Sequence, residues 1–216
     1  MKTNAMLVAF LLAMAAVLPA ISLPKLSQQQ GVPSIVINEV AWAGTAASPT
    51  DEWIELKNNT STDIDLTGWT VSWGDSDDRK IIHFVLGQAK SNTTEVRTHI
   101  LPARGLLLLE RSDDTTVKDV NADVIFTGAL RNEGETLELR NANNDLIDTV
   151  NQNGGAWPAG TTNSGNVPYA SMERINPLTK DDDSNWASNN GTVRNGRDAD
   201  GNLINGTPRA ENSQKK

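Results

Sequence analysis

Ile35-Val36-Ile37-Asn38-Glu39-Val40-Ala41-Trp42, followed by Asp51-Glu52-Trp53-Ile54-Glu55-Leu56-Lys57-Asn58, decides how this chain folds. In the second run Trp53 and Glu55 alternate with Ile54 and Leu56, the period of two that sets one face of a strand toward a core and the other toward water. The same alternation returns at Glu138/Arg140 against Leu137/Leu139. Further short apolar runs give candidate strands at Ile35–Ala43, Glu52–Asn58, Ile64–Trp73, Ile81–Val85, Gly105–Arg111, Ala122–Phe126, Thr136–Asn141, Leu146–Val150 and Tyr169–Ile175. The unbroken run Leu106–Leu109 suits a central strand covered on both sides, and Asn141-Ala142-Asn143-Asn144-Asp145 has the chemistry of a hairpin turn. After residue 34 no window carries a helical stripe, although Ser112–Asn121 has room for one helical turn. Strands at this density, with turn residues between them and no internal repeat, predict an all-β sandwich or barrel.

Composition narrows the function classes. The 216 residues hold 19 basic and 27 acidic side chains, a net charge of −8, with no basic cluster to grip phosphates, so nucleic acid is not expected as a partner. There is no cysteine, which removes disulfide scaffolds, thiol nucleophiles, zinc ribbons and iron–sulfur sites.

The first residues read as an address. Lys2 precedes a run from Ala5 to Leu18 without a polar side chain, and Pro19-Ala20-Ile21-Ser22 supplies small residues for cleavage after Ala20 or Ser22. Residues 1–22 are therefore expected to be a secretory signal peptide and the protein secreted, with no transmembrane segment in the mature chain. The alternative is a membrane anchor formed by an uncleaved leader. Residues 23–34 read as a flexible tether and 35–212 as the domain. The Asn-, Asp- and Gly-rich stretch 176–212 is expected to wrap onto the sandwich through Trp186, Leu203 and Ile204, leaving a loose end at 213–216.

Few residues suggest chemistry. His83 and His99 have no metal-spaced partner and no nucleophile motif nearby, and His83 is expected on the wet face of its strand. Glu39, Glu52 and Glu55 would serve a hydrolase if they converged in a pocket; alternation instead places strand carboxylates on a solvated face. Asp181, Asp183, Asp198 and Asp200 are the candidate calcium ligands, since Asp181-Asp182-Asp183 and Asp198-Ala199-Asp200-Gly201-Asn202 offer clustered oxygens. The second segment lacks the register of an EF-hand, and Asp-Gly and Asn-Gly pairs also form ordinary turns, so the reading favours no cofactor. Of the six tryptophans, Trp42, Trp53, Trp69 and Trp186 are expected in the core, whereas Trp73 and Trp157 are candidates for a surface that stacks on carbohydrate. Asn58, Asn59, Asn92, Asn190 and Asn205 head glycosylation sequons that fall in predicted loops.

The order of motifs resembles the lamin-tail domain, an immunoglobulin-like β-sandwich also found in exported bacterial proteins. The residues that carry the resemblance are Ile37–Trp42, Asp51–Asn58, Ile64-Asp65-Leu66-Thr67-Gly68-Trp69, Phe126-Thr127-Gly128-Ala129-Leu130, Gly134–Leu139, Ser171-Met172-Glu173-Arg174, Asp183-Ser184-Asn185-Trp186 and Gly206-Thr207-Pro208. Arg209 departs from the pattern, standing where a glycine commonly follows the proline. The resemblance implies an immunoglobulin-like sandwich of eight to ten strands and a binding or scaffolding module with no catalytic residues to carry over. The expected role is an exported module that meets a protein or glycan at the cell surface. The alternatives are a small calcium-dependent exported hydrolase using the acidic residues, and a self-assembling structural component of the envelope.

Overall fold

A computed structural model describes residues 31–74, 81–87, 99–164 and 168–214, with 81–84 described by their backbone alone. The leader and the tether up to residue 30, like the His83 side chain, lie outside the described residues. Twelve strands follow in order: β1 (Ile35–Ala41), β2 (Trp53–Asn58), β3 (Ile64–Asp65), β4 (Thr70–Trp73), β5 (Ile81–Val85), β6 (Ile100–Leu101), β7 (Leu106–Arg111), β8 (Val124–Phe126), β9 (Leu137–Arg140), β10 (Leu146–Val150), β11 (Met172–Arg174) and β12 (Trp186–Ser188). The sole helical element among the described residues is a 3-10 turn at Asp183–Asn185.

Two sheets face each other. The first runs β12-β11-β1-β2-β7-β8 and the second β10-β9-β4-β5, while β3 and β6 form a short ribbon. Every pairing is antiparallel except β7 with β8. Ile35, Ile37, Val40, Ile54, Leu56, Leu107 and Leu109 from the first sheet meet Val71, Trp73, Leu137, Leu139 and Val150 from the second in one buried core. The all-β sandwich expected from the alternation is the fold observed. The continuous run in β7 is central as expected, between β2 and β8, with Leu107 and Leu109 in the core and Leu108 in a second cluster on the other side of the sheet.

The differences have local causes. The expected strand Ile64–Trp73 breaks in two because the Asp65 carboxylate accepts the Thr67 N–H at 2.8 Å and opens a turn. Gly68 sits in that turn at φ 81°. Ser112–Asn121 forms no helix: Asp113 and Asp114 accept the N–H groups of Thr115 and Ala122, holding the segment in successive turns. Trp73 and Trp157 are not surface residues, being 1% and 8% exposed. Trp73 shares the inward side of β4 with Val71, packs edge-on against Phe126 at 5.5 Å and donates its indole N–H to the Ala129 carbonyl. Trp157 stacks on Trp42 at 6.0 Å and donates to the Arg131 carbonyl. A buried indole needs one acceptor, and in both cases a loop carbonyl supplies it.

One ion pair ties the two sheets together. Asp148 of β10 accepts the Ile37 N–H of β1 at 2.8 Å and the Arg174 guanidinium of β11 at 2.6 Å. It does so where the ladders on both sides are irregular, between Ile37 and Glu39 and between Leu146 and Asp148. Arg174 is fully buried, donates also to the carbonyls of Ile37, Thr149 and Thr179, and lies 4.7 Å over the Trp186 ring. Removing one member of such a pair leaves the other as an uncompensated buried charge. Asp148→Ala is therefore expected to lower stability by about 3–5 kcal/mol, read as a shift of the urea unfolding midpoint; a loss below about 1 kcal/mol would show the pair to be dispensable.

Candidate functional site

Alternation in β1 and β2 puts Glu39, Glu55, Ala41 and Trp53 on the side of the first sheet that faces away from the core. The expected wet face is not wet. Glu39, Glu55 and Glu173 are each 0% exposed and Trp53 is 1% exposed, because two segments cover the sheet. The turns of 112–121 press Val117 against Trp53 and Leu108, and a C-terminal strap, residues 189–213, crosses the strands with Ile204 in the same cluster. The three glutamates form a ladder, since Glu39 is the direct neighbour of Glu173 on β11 and of Glu55 on β2.

Neutral donors, mostly from the strap, satisfy the ladder. Thr207 donates its N–H to Glu39 Oε1 at 2.8 Å, and its hydroxyl lies 2.8 Å from Glu39 Oε2 and 3.0 Å from Glu173 Oε1. Ser171 Oγ donates to Glu39 Oε1. Glu55 accepts from the Asn38 amide and from the Arg209 N–H. Glu173 accepts from the Asn189 amide and from both the N–H and the hydroxyl of Ser213. None of the three glutamates forms an ion pair with a cationic side chain among the described residues. Burial pushes the Glu39 and Glu55 carboxyls well above the ordinary range, and the charges of Glu55 and Glu173 push Glu39 further. Arg209 holds φ 60°, the left-handed conformation glycine adopts freely. The strap lies so close that a Cβ on Gly206 would stand 2.8 Å from the Trp53 ring.

Beside the ladder the strap forms one wall of a cleft of about 280 Å³. Trp53, Tyr169 and Ser171 line it, with Arg194, Leu203 and Asn205 from the strap and the turn at Gly44–Ala46. Arg194 is exposed and reaches only Asn205, at 3.4 Å, while the Tyr169 hydroxyl has no hydrogen-bond partner among the described residues. The cleft thus offers the half-buried Tyr169 ring and the exposed Arg194 guanidinium above an almost fully buried Trp53.

The remaining candidates are placed as follows. Glu52 is buried away from the ladder, where it accepts from Arg111 at 2.9 Å and from the Leu130 N–H at 2.7 Å; burial raises it to about 7. Glu39, Glu52 and Glu55 are absent from the cleft walls. Asp181 accepts from the Trp186 indole, Thr149 and the Gln152 N–H, Asp182 starts the 3-10 turn, and Asp183 accepts from Asn153. Asp198 is buried and closes its own turn by accepting the N–H groups of Asp200 and Asn202, with Asp200 exposed beside it. No group of three or more ligating side chains capable of holding a metal ion occurs among the described residues. His99 is half-buried, within electrostatic reach of Asp65. Of the sequon asparagines, Asn58 is fully buried and donates to the carbonyls of Thr62, Leu101 and Pro102, while Asn190 is exposed. Sequence reasoning placed Glu173 and Thr207 only within motifs that carry the resemblance and Tyr169 only at the start of a candidate strand, with no site role for any of them, and did not single out Arg194.

Residues 28–154 match the family model described as Lamin Tail Domain, a span that ends before β11, β12 and the strap. No curated protein matches the chain.

Glu110 of β7 stands on the same covered face, fully buried, with neither carboxyl oxygen in good hydrogen-bonding geometry to any group among the described residues. Burial raises it to about 8; the facing N–H groups of Val117 and Thr116 offset this only in part, and the charges of Asp114 and Asp113 add to the rise. A carboxyl raised in the folded state contributes its full stability below the ordinary pKa of about 4.5 and loses it, at up to tenfold in the folding constant per pH unit, as pH climbs to the folded value. Glu110→Met is expected to flatten that decline by one proton and to be more stable than the natural chain above about pH 8. Urea unfolding across that pH range checks it, and an unchanged slope would mean Glu110 is ionised throughout.

Proposed function

The chain belongs to the lamin tail domain family, a family of non-enzymatic immunoglobulin-like modules, and from that premise we propose that it is a recognition module acting outside the cell. The partner, a protein segment or a glycan, is taken in the cleft over Trp53. The observation that carries this reading is that the exposed Arg194, held among the described residues only by Asn205 at 3.4 Å, and the half-buried Tyr169 line one concavity. Loops and irregular segments at the end of a rigid sandwich are where such sites are usually built. Of the glutamates that a hydrolase would need, Glu39 and Glu55 are buried beneath the strap and turned to its donors, and Glu52 is buried apart from them against Arg111 and the Leu130 N–H, which supports a binding role over a hydrolytic one. Among the described residues no helix is long and apolar enough to cross a membrane.

Secretion rests on the charge and apolar pattern of residues 1–22. The mass of the chain recovered from the medium reads whether the leader is removed after Ala20 or Ser22.

Probed on arrays of surface glycans and of peptides, the natural chain is expected to retain a defined subset of ligands. Arg194→Ala and Tyr169→Ala should each weaken that retention by about tenfold or more, the usual cost of losing a charged hydrogen bond or an aromatic contact in a site. Retention unaffected by either substitution would place the partner elsewhere.

No cofactor is proposed. Thermal unfolding is expected to give the same midpoint with calcium and with chelator. A calcium-dependent rise would place a cation at Asp181–Asp183 or at Asp198 and Asp200, because a ligand specific to the folded state must stabilise it.

A further inference from the structure

The Thr207 hydroxyl carries one proton, yet it lies within hydrogen-bond distance of two carboxyl oxygens, Glu39 Oε2 at 2.8 Å and Glu173 Oε1 at 3.0 Å. An ionised carboxylate only accepts. If both groups were ionised, the hydroxyl would satisfy one oxygen and press its lone pairs against the other. A second proton is needed, and the donor arrangement says where it sits. Four donors converge on Glu173: the Asn189 amide and the Thr207 hydroxyl on Oε1, and the Ser213 N–H and hydroxyl on Oε2. On Glu39, Oε1 accepts from Ser171 Oγ and the Thr207 N–H, whereas Oε2 has Thr207 Oγ1 as its one hydrogen-bond partner among the described residues.

We propose that Glu39 carries a proton on Oε2 and donates it to Thr207 Oγ1, which in turn donates to Glu173 Oε1, and that this relay latches the strap and so positions one wall of the cleft. Glu39 is then a positioning residue acting through Thr207, two residues from Asn205 and next to Gly206 on Trp53. The groups that face the relay favour a neutral Glu39. On β2 stands Glu55, itself countered by Lys57 and Arg209, and on β11 stands Glu173; both add negative charge. From the strap, Arg209 presents its backbone N–H to Glu55 while its guanidinium pairs with Asp123. The consequence for ligand access rests on the recognition reading, but the proton does not.

The test therefore uses the full chain with no cleft ligand. Glu39→Gln reproduces the protonated acid, an acceptor at Oε1 and a donor toward Thr207. Glu173→Gln sets an amide N–H against groups that already donate. Urea unfolding across neutral and alkaline pH, with hydrogen exchange at the Thr207 and Arg209 amides, should show Glu39→Gln close to the natural chain at neutral pH, with strap protection retained. The natural chain's folding constant should fall more steeply with rising pH than the variant's by one proton, up to tenfold per pH unit, until Glu39 has ionised. Glu173→Gln should lose tenfold or more in the folding constant, and strap protection with it. The reverse asymmetry would put the proton on Glu173. Comparable losses in both variants, or an unchanged pH slope in Glu39→Gln, would show that Glu39 holds none. Each of these outcomes overturns the relay, whereas failure to find any cleft ligand would overturn only the recognition reading.

Discussion

Three glutamates occupy adjacent positions across three strands, and the outer half of the molecule is arranged around that fact. Like charges directly opposite one another in a sheet repel, and taking them out of water adds a cost that a lone pair of strands could not sustain. Among the described residues no cationic side chain pairs with the three: the Arg209 guanidinium turns aside to Asp123, although its charge and that of Lys57 act on Glu55 from a distance. Amides, hydroxyls and backbone N–H groups meet it instead, most of them from residues 189–213. Strap and ladder consequently require each other. Without the strap the carboxylates would return to water and Trp53 would be bared; without the carboxylates a polar, glycine-rich segment would have no reason to lie down.

This explains which parts of the structure could be foreseen. Period two in β2 and β9 identifies residues that share a face, and the core side came out as the alternation implied, with Ile54, Leu56, Leu137 and Leu139 inside. It is silent on what covers the opposite face. In β9 that face is half open, and Glu138 pairs with Arg140 across it at 3.0 Å. In β2 it is roofed, so Glu55 is buried although its local pattern is the same. Trp73, expected as a surface candidate, lies inside because it shares the inward side of β4 with Val71. Glu39 and Glu55 were recognised as notable, yet as surface acids or a hydrolytic pair rather than as fasteners. Asp181 and Asp198 were noted as oxygen ligands, and their oxygens turn out to receive indole, hydroxyl and backbone protons.

The same economy of uncharged polar groups runs through the irregular parts of the molecule. Asn58 closes the approach to the β3–β6 ribbon, Asn151 binds the carbonyls of Glu135 and Gly155, and Asn212 reaches both Asn38 and the Arg174 carbonyl. Four of the carbonyls so served, those of Thr62, Pro102, Glu135 and Gly155, belong to no strand, where an unpaired group would be costly. In a chain without cysteine, these amides perform the cross-linking of loops that disulfides often perform in domains of loop-rich architecture.

The ladder also spans most of the chain. Glu39 and Thr207 are separated by 168 positions, and Asn38 and Asn212 by 174. Contacts of such separation form late, because the entropy of closing the intervening loop must be met before they return any stability. The pairings of β1 with β2 and of β2 with β7 join residues much nearer in sequence and can precede them. Assembly therefore has a direction: a half-clad sheet gathers first and the strap is laid across it last, so for a time the nascent module exposes a row of acids and a bare indole to whatever else is present. The interval before closure, more than the finished surface, is when this protein is most open to association with the wrong neighbour.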